Sequence, residues 1–357
     1  MKKKGFSPWE ARICTFAKYA GVLGISILAG LALLFVVYAL PVGNMKANVA
    51  RSSEIFNYEG IYPQMVSGYK YMQLDNFTDS LMLGAAIYDG PEGMIDKVVN
   101  NYHPDSGQIS PELALTNYAN EVSAYEYFQV PYGRYWHGYL IPLKLLLLFL
   151  DYADIRVLNF FLQNILLFLI IKQLYRIHME RYAPAFLVAI FVINPLTAAL
   201  SLQFSSVYLI TLFSTICFLR LVRQEKATEN RIDHLFFMAG ILTAYFDFLT
   251  YPFTSCGILL VLYMIVNSEK LNAASIRLLF QKTVLWGCGY VGMWGGKWLV
   301  GSILLKENLF REALNQIVFR ASTGIEQGAD SRFGAVMKNI SVLLKWPFLL
   351  VFASGGA

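Results

Sequence analysis

The chain has 357 residues, of which 56% are hydrophobic and 15% charged, and its formal net charge is +5. Soluble domains carry roughly a quarter charged residues, so this balance excludes an ordinary soluble enzyme and points to an integral membrane protein. The basic excess suits a face opposed to anionic lipid, and it is too small and scattered to argue for nucleic acid.

Residues 1–18 open with Met1-Lys-Lys-Lys and include Arg12 and Lys18, ahead of an apolar run over 19–40. That run is long enough to cross a bilayer and long for a cleavable signal segment. It is expected to be an uncleaved signal-anchor with a cytoplasmic N-terminus. Residues 41–155 follow, with Pro, Gly and Asn punctuation at 90–92, 103–107 and 131–133 that marks loops between amphipathic patches. The apolar stretch 139–150 is too short to span before Asp151, and reads as an interfacial or re-entrant helix.

Further apolar spans are expected over 156–172, 184–200, 204–220, 234–248, 252–267 and 283–305. Lys172, Arg176 and Arg181 fall in one link, Arg220, Arg223, Lys226 and Arg231 in another, and Lys270, Arg277 and Lys282 in a third. The alternate links at 201–203 and 248–251 hold no Lys or Arg. This positive-inside alternation agrees with the inside N-terminus. It places 41–155 and 306–342 on the extracytoplasmic side, with the start of a last span at 343–357. The fold expected is an all-α polytopic membrane protein of about seven or eight transmembrane helices.

Five groups could carry chemistry on the outer face. Asp75 and Asp79 stand four apart, so a helix would put both carboxylates on one face. They could hold a divalent ion such as Mg²⁺ or Mn²⁺, or one could act as a base whose neighbour raises its pKa. A helix N-cap in a solvated loop is the alternative. In Gly133–Tyr139, Arg134 offers a planar fork for phosphate, His137 is a titratable ring, and Tyr135, Trp136 and Tyr139 could stack on sugars. An interfacial aromatic belt explains them equally.

Asp247, with Tyr245, Thr250 and Tyr251, interrupts two apolar runs, where a charge is costly and marks a site or a structural pair. Lys297 would be its natural partner if their helices pack together, or it snorkels to headgroups. Arg332 lies in the late outer loop with Arg320, Asp330 and Lys338, and together these could meet a lipid phosphate. The four cysteines lie in or beside apolar runs without metal-ligand spacing, so they read as packing residues. No phosphate-cradling glycine loop, zinc pattern or Gly-x-Ser-x-Gly nucleophile occurs.

One span, a long outer segment with acids and interfacial helices, then many spans on short links: this layout resembles the GT-C superfamily of membrane glycosyltransferases. Gly-Arg-Tyr-Trp-His-Gly-Tyr (133–139) and Phe-Asp-Phe-Leu-Thr-Tyr-Pro (246–252) are similar to stretches of bacterial glucosyltransferases that decorate surface polysaccharide. The resemblance implies a polyprenyl-phosphate sugar donor and an envelope glycan or lipid acceptor. It also implies a catalytic carboxylate at Asp79 or Asp75. Arg134, Lys297 and Arg332 would neutralise the leaving phosphate, Asp247 would bind sugar hydroxyls or orient a basic residue, and Tyr135, His137 and Tyr251 would hold substrate. A transporter or flippase, and an envelope scaffold, are the other readings.

Overall fold

The computed structural model describes residues 8–68, 72–124, 126–247, 250–268, 273–311 and 313–315. Helix α1 (Pro8–Tyr38) leads into five short helices: α2 (Gly43–Ser52), α3 (Glu54–Glu59), α4 (Asn76–Ile87), α5 (Met94–Asn100) and α6 (Pro111–Ala119). A two-stranded antiparallel ribbon, β1 (His103–Asp105) with β2 (Phe128–Val130), ties this region together, His103 facing Val130. With an isolated antiparallel bridge between Gln64 and Gln73, it is the departure from an all-helical chain among the described residues. Then come α7 (Leu140–Leu147), α8 (Tyr152–Arg176), α9 (Ala183–Val192), α10 (Pro195–Leu200), α11 (Leu202–Arg223), α12 (Glu229–Phe246), α13 (Phe253–Val266) and α14 (Ala273–Leu305).

Local sequence accounts for most boundaries. Asp151 caps α8 in a reciprocal box with Asp154, which satisfies donors that a helix start leaves open. The expected single span over 184–200 is instead broken. Asn194 adopts φ 61°, its side chain accepts from Thr197 N, and Pro195 starts a new helix. Proline cannot donate within a continuing helix and favours a first-turn position, so α9 and α10 form two pieces.

Among the described residues, three helices are long and apolar enough to cross a membrane: Ile13–Tyr38, Tyr152–Arg176 and Leu202–Arg223. Most of the apolar surface on the first and second faces outward, since only 17% and 22% of their most apolar windows are buried. Phe16, Phe168, Phe191 and Phe280 are each at least 65% exposed. Leaving such rings in water forfeits roughly 1.5–3 kcal/mol apiece, a loss that hydrocarbon removes. The chain therefore has the surface of a membrane protein.

One core gathers α1, α2, α4, α7 and the end of α12; a second gathers α9, α11, α13 and the middle of α12. Helices α12 and α14 touch backbone to backbone. A Cβ built at Gly240 would lie 2.1 Å from Trp286 O, and one at Gly289 would lie 2.2 Å from Phe237 O. Small residues allow this approach, the usual means of helix association in lipid. Gly240→Ala is expected to lower stability by about 2–3 kcal/mol, seen as a fall in Tm of the detergent-solubilised chain. Gly257→Ala, whose Cβ would meet nothing within 4 Å, is the neutral control; equal Tm values for the two variants would refute the contact.

The same pair encloses Lys282, which the sequence suggested for a polar link. Its Nζ is fully buried and donates to Glu229 and Asp233, each at 2.5 Å. Gln281 and Tyr263 complete the carboxylates' hydrogen bonds. A buried cation requires such pairing.

Candidate functional site

The loop 131–139 enters α7 through three staples. Trp136 Nε1 donates to Met293 O at 2.6 Å, Trp298 Nε1 donates to Arg134 O at 3.1 Å, and Gly138 N donates to Tyr245 O at 2.9 Å. A Cβ on Gly138 would sit 2.3 Å from the Tyr245 ring, so only glycine lets the loop reach α12. The loop is thereby fixed against the last turn of α12, two residues before Asp247. The 133–139 stretch therefore packs on Tyr245, the residue that precedes the 246–252 stretch.

Within the loop, His137 is buried with φ 56°. Its Nε2 lies 2.6 Å from the Tyr132 carbonyl and its Nδ1 lies 3.2 Å from Tyr139 Oη. A carbonyl only accepts, so Nε2 carries the proton and Nδ1 accepts from Tyr139. Burial holds the ring well below its ordinary pKa, and Lys297, His103 and Arg134 add to that effect. His137 is thus a neutral, positioning ring.

Asp247 ends α12 with ψ 153°. Its carboxylate accepts Thr250 N at 3.1 and 3.3 Å, a turn that short acidic side chains favour. The group is 4% exposed, and Tyr251 and Tyr290 both lie in its electrostatic field. Tyr290 belongs to a ladder on one face of α14: Trp286, Tyr290, Trp294 and Trp298 follow at i,i+4 spacing with centroids 5.0–5.7 Å apart. Tyr135 packs on Trp294 at 5.7 Å, Tyr132 on Tyr135 at 5.3 Å, and Arg134 lies over Tyr132 at 4.8 Å. An aromatic strip thus runs from a carboxylate to a guanidinium.

Some of the buried polar atoms without a hydrogen-bond partner among the described residues belong to the strip or to residues near its Asp247 end. They include Thr250 Oγ1, Tyr208 Oη, Gln203 Oε1 and Trp294 Nε1. Thr250 shares the Asp247 turn, Tyr208 is in electrostatic contact with Tyr251, and Trp294 adjoins Tyr290. Gln203 precedes Phe204, whose carbonyl accepts Tyr251 Oη at 2.5 Å. Such atoms are rare in native proteins and mark places where water or ligand binds.

Lys297 does not pair with Asp247. Its Nζ donates to Val99 O at 2.7 Å and lies 5.6 Å from the Trp136 ring. The C-terminal carbonyls of α5, the negative end of its dipole, take the cation instead, so Lys297 braces the loop from behind.

Asp79 and Asp75 do different work. Asp79 is fully buried and accepts four bonds: Tyr152 Oη at 2.5 Å, Ser201 Oγ at 2.9 Å, Leu202 N at 2.8 Å and Gln203 N at 3.0 Å. It caps the first turn of α11 from outside that helix. Burial pushes its carboxyl up to about 6, against the pull of these donors and of Arg156. Arg156 in turn forms a fork on Glu59 at 2.7 and 2.9 Å and reaches Asn76 at 3.1 Å. Asp75 caps α4, accepting from Thr78 N at 3.0 Å and Thr78 Oγ1 at 2.9 Å.

The pair therefore shares no ligand position, and Asp79 has no oxygen left for a divalent ion. No group of three His, Cys, Asp or Glu residues suited to a metal occurs among the described residues. The donor set does not fit Mg²⁺ or Mn²⁺. Arg332, with Arg320, Asp330 and Lys338, lies outside the described residues.

Arg134, Tyr135 and His137 thus share one loop, which is connected to Asp247 through Trp294 and Tyr290. Asp79 lies behind them, joined through the first turn of α11. Tyr290, Trp294, Tyr208 and Gln203 were missed from sequence; only the four-residue period of Trp286, Tyr290, Trp294 and Trp298 signalled the strip. Comparison with protein-family models, with curated proteins and with solved structures finds no match.

Proposed function

We propose that this chain is a GT-C-type membrane glycosyltransferase that moves a sugar from a polyprenyl-phosphate donor to an envelope glycan or lipid acceptor. The observation that carries this reading is the aromatic strip between Asp247 and Arg134, bordered by unpartnered buried polar atoms. Sugar rings stack on aromatic faces, their hydroxyls need carboxylate and amide partners, and a phosphate needs a fixed cation. In this reading the acceptor hydroxyl attacks the anomeric carbon and gives its proton to Asp247. The sugar–phosphate bond breaks, and Arg134 meets the charge left on the polyprenyl phosphate. Asp79 holds α11, and so Tyr251, in register.

The same reading gives the chain seven crossings of the bacterial plasma membrane: α1, α8, α9 with α10, α11, α12, α13 and α14. The N-terminus is cytoplasmic and the Asp247 end extracytoplasmic, as the basic links at the other end favour. Arg134→Ala is expected to cut transfer from a radiolabelled polyprenyl-phosphate hexose about 100-fold in isolated membranes. Arg134→Lys should recover only part of it, since lysine lacks the planar fork. Full activity in Arg134→Ala would dismiss this role.

A transporter is the second reading, favoured by the two interrupted segments at Asn194 and Asp247, since broken helices flank transport sites. Substrate uptake into vesicles without any transferred product would select it.

A further inference from the structure

At the far end of α12 from Asp247, about 20 Å along the helix, lies a second pocket of about 620 Å³. Lys18 of α1, Arg220 of α11 and Arg231, His234 and Asn230 of α12 line it. No acidic side chain lines it. The nearby Asp233 is held instead by Lys282 and Gln281. Lys18, Arg220 and Arg231 make no ion pair among the described residues. The His234 ring donates from Nδ1 to the Asn230 carbonyl. Its Nε2 is buried without a partner among the described residues.

Beside this pocket runs an apolar groove of about 640 Å³, lined by Phe16, Tyr19, Leu23, Phe237 and Leu285. Tyr19 packs on His234 with centroids 5.0 Å apart and on Phe237 at 4.8 Å, so this ring pair is the wall the two spaces share. A cationic socket next to an apolar trough matches a molecule with an anionic head and a hydrocarbon tail. A free phosphate would use the socket and leave the trough empty.

We propose that this pocket binds the phosphate headgroup of an anionic membrane phospholipid, with its acyl chains in the neighbouring groove. Lys18, Arg220 and Arg231 supply the charge, and Tyr19 separates head from tail. The lipid joins α1 to the α11–α12 pair at the end opposite the transfer site. The site stands independently of the transferase reading, because neither its residues nor its ligand enter that reaction.

The test uses the full chain in neutral detergent, with bound lipid read by native mass spectrometry. Long-chain phosphatidylglycerol is expected to be retained at least tenfold better than phosphatidylcholine. The triple variant Lys18→Gln, Arg220→Gln, Arg231→Gln is expected to lose about a hundredfold in affinity, at about fivefold per basic group. The corresponding chain with Arg220→Lys and Arg231→Lys should keep most of it. If the triple variant does not purify, Arg231→Gln alone should show the fivefold loss. Equal retention of both lipids, or unchanged binding by the glutamine variants, overturns the site. Displacement by a large excess of inorganic phosphate, or equal affinity for dihexanoyl-phosphatidylglycerol, overturns the lipid assignment.

Discussion

An Asp79→Ala chain is expected to be less stable by about 3–5 kcal/mol, the cost of breaking a buried charged network. The carboxylate takes four donors from α8 and the start of α11. Alanine would leave two backbone N–H groups and two hydroxyls buried and unanswered, each expensive in a site without water. Asn retains one acceptor but turns an amide NH₂ toward existing donors, so Asp79→Asn should fall between the two. Intrinsic tryptophan fluorescence on heating in detergent would report the loss.

Acidity gives a second signature. The folded carboxyl, pushed up to about 6 from 3.8, binds its proton more tightly than the unfolded one. Its contribution to stability is therefore complete below pH 3.8 and is lost as pH rises through 6. At 1.36 kcal/mol per pH unit that amounts to about 3 kcal/mol. Asp79→Asn should flatten the Tm–pH curve across that window; an unchanged slope would remove Asp79 as its source.

Asp247→Asn should behave in the opposite way. Asparagine makes the same turn with its own backbone, so the Thr250 bond survives and the chain should melt close to the native temperature. The charge does not survive. If Asp247 takes the acceptor proton, transfer should fall about 100-fold or more, the usual range for a positioned base. Folded protein with little transfer, set beside the unfolding of Asp79→Ala, separates a reacting group from a positioning one. Near-native turnover in Asp247→Asn would assign the reaction to another group.

The layout was legible because its signals are local. Apolar runs bounded by Lys and Arg mark α1, α8 and α11, and the charged, proline-bounded stretch at 247–252 marks the break after α12. The short helix expected within 139–150 is α7, Leu140–Leu147. The sequence pattern did not reveal the division at Asn194, since αL geometry at one residue leaves hydropathy unchanged. Asp79 was legible as important but not in kind, because its partners lie 73 to 124 residues away. Lys297 followed the same rule: its carbonyl partner on α5 has no sequence signature at all. Buried side chains that answer a distant backbone cannot be read from spacing.

The Lys282 cluster bears on how the chain is built. Glu229 and Asp233 leave the ribosome in α12, and their cation follows 49 residues after Asp233. At about 5–20 residues per second that is an interval of several seconds. Asp233, whose side chain is buried while that of Glu229 is half-exposed, cannot rest unpaired in hydrocarbon during that time. The start of α12 must therefore wait at the aqueous boundary, or beside the insertion machinery, until α14 arrives. Gly240 and Gly289 then close the same pair. Synthesis order thus makes α14 the element that locks the bundle, and a chain halted before Lys282 should remain an open, degradable intermediate.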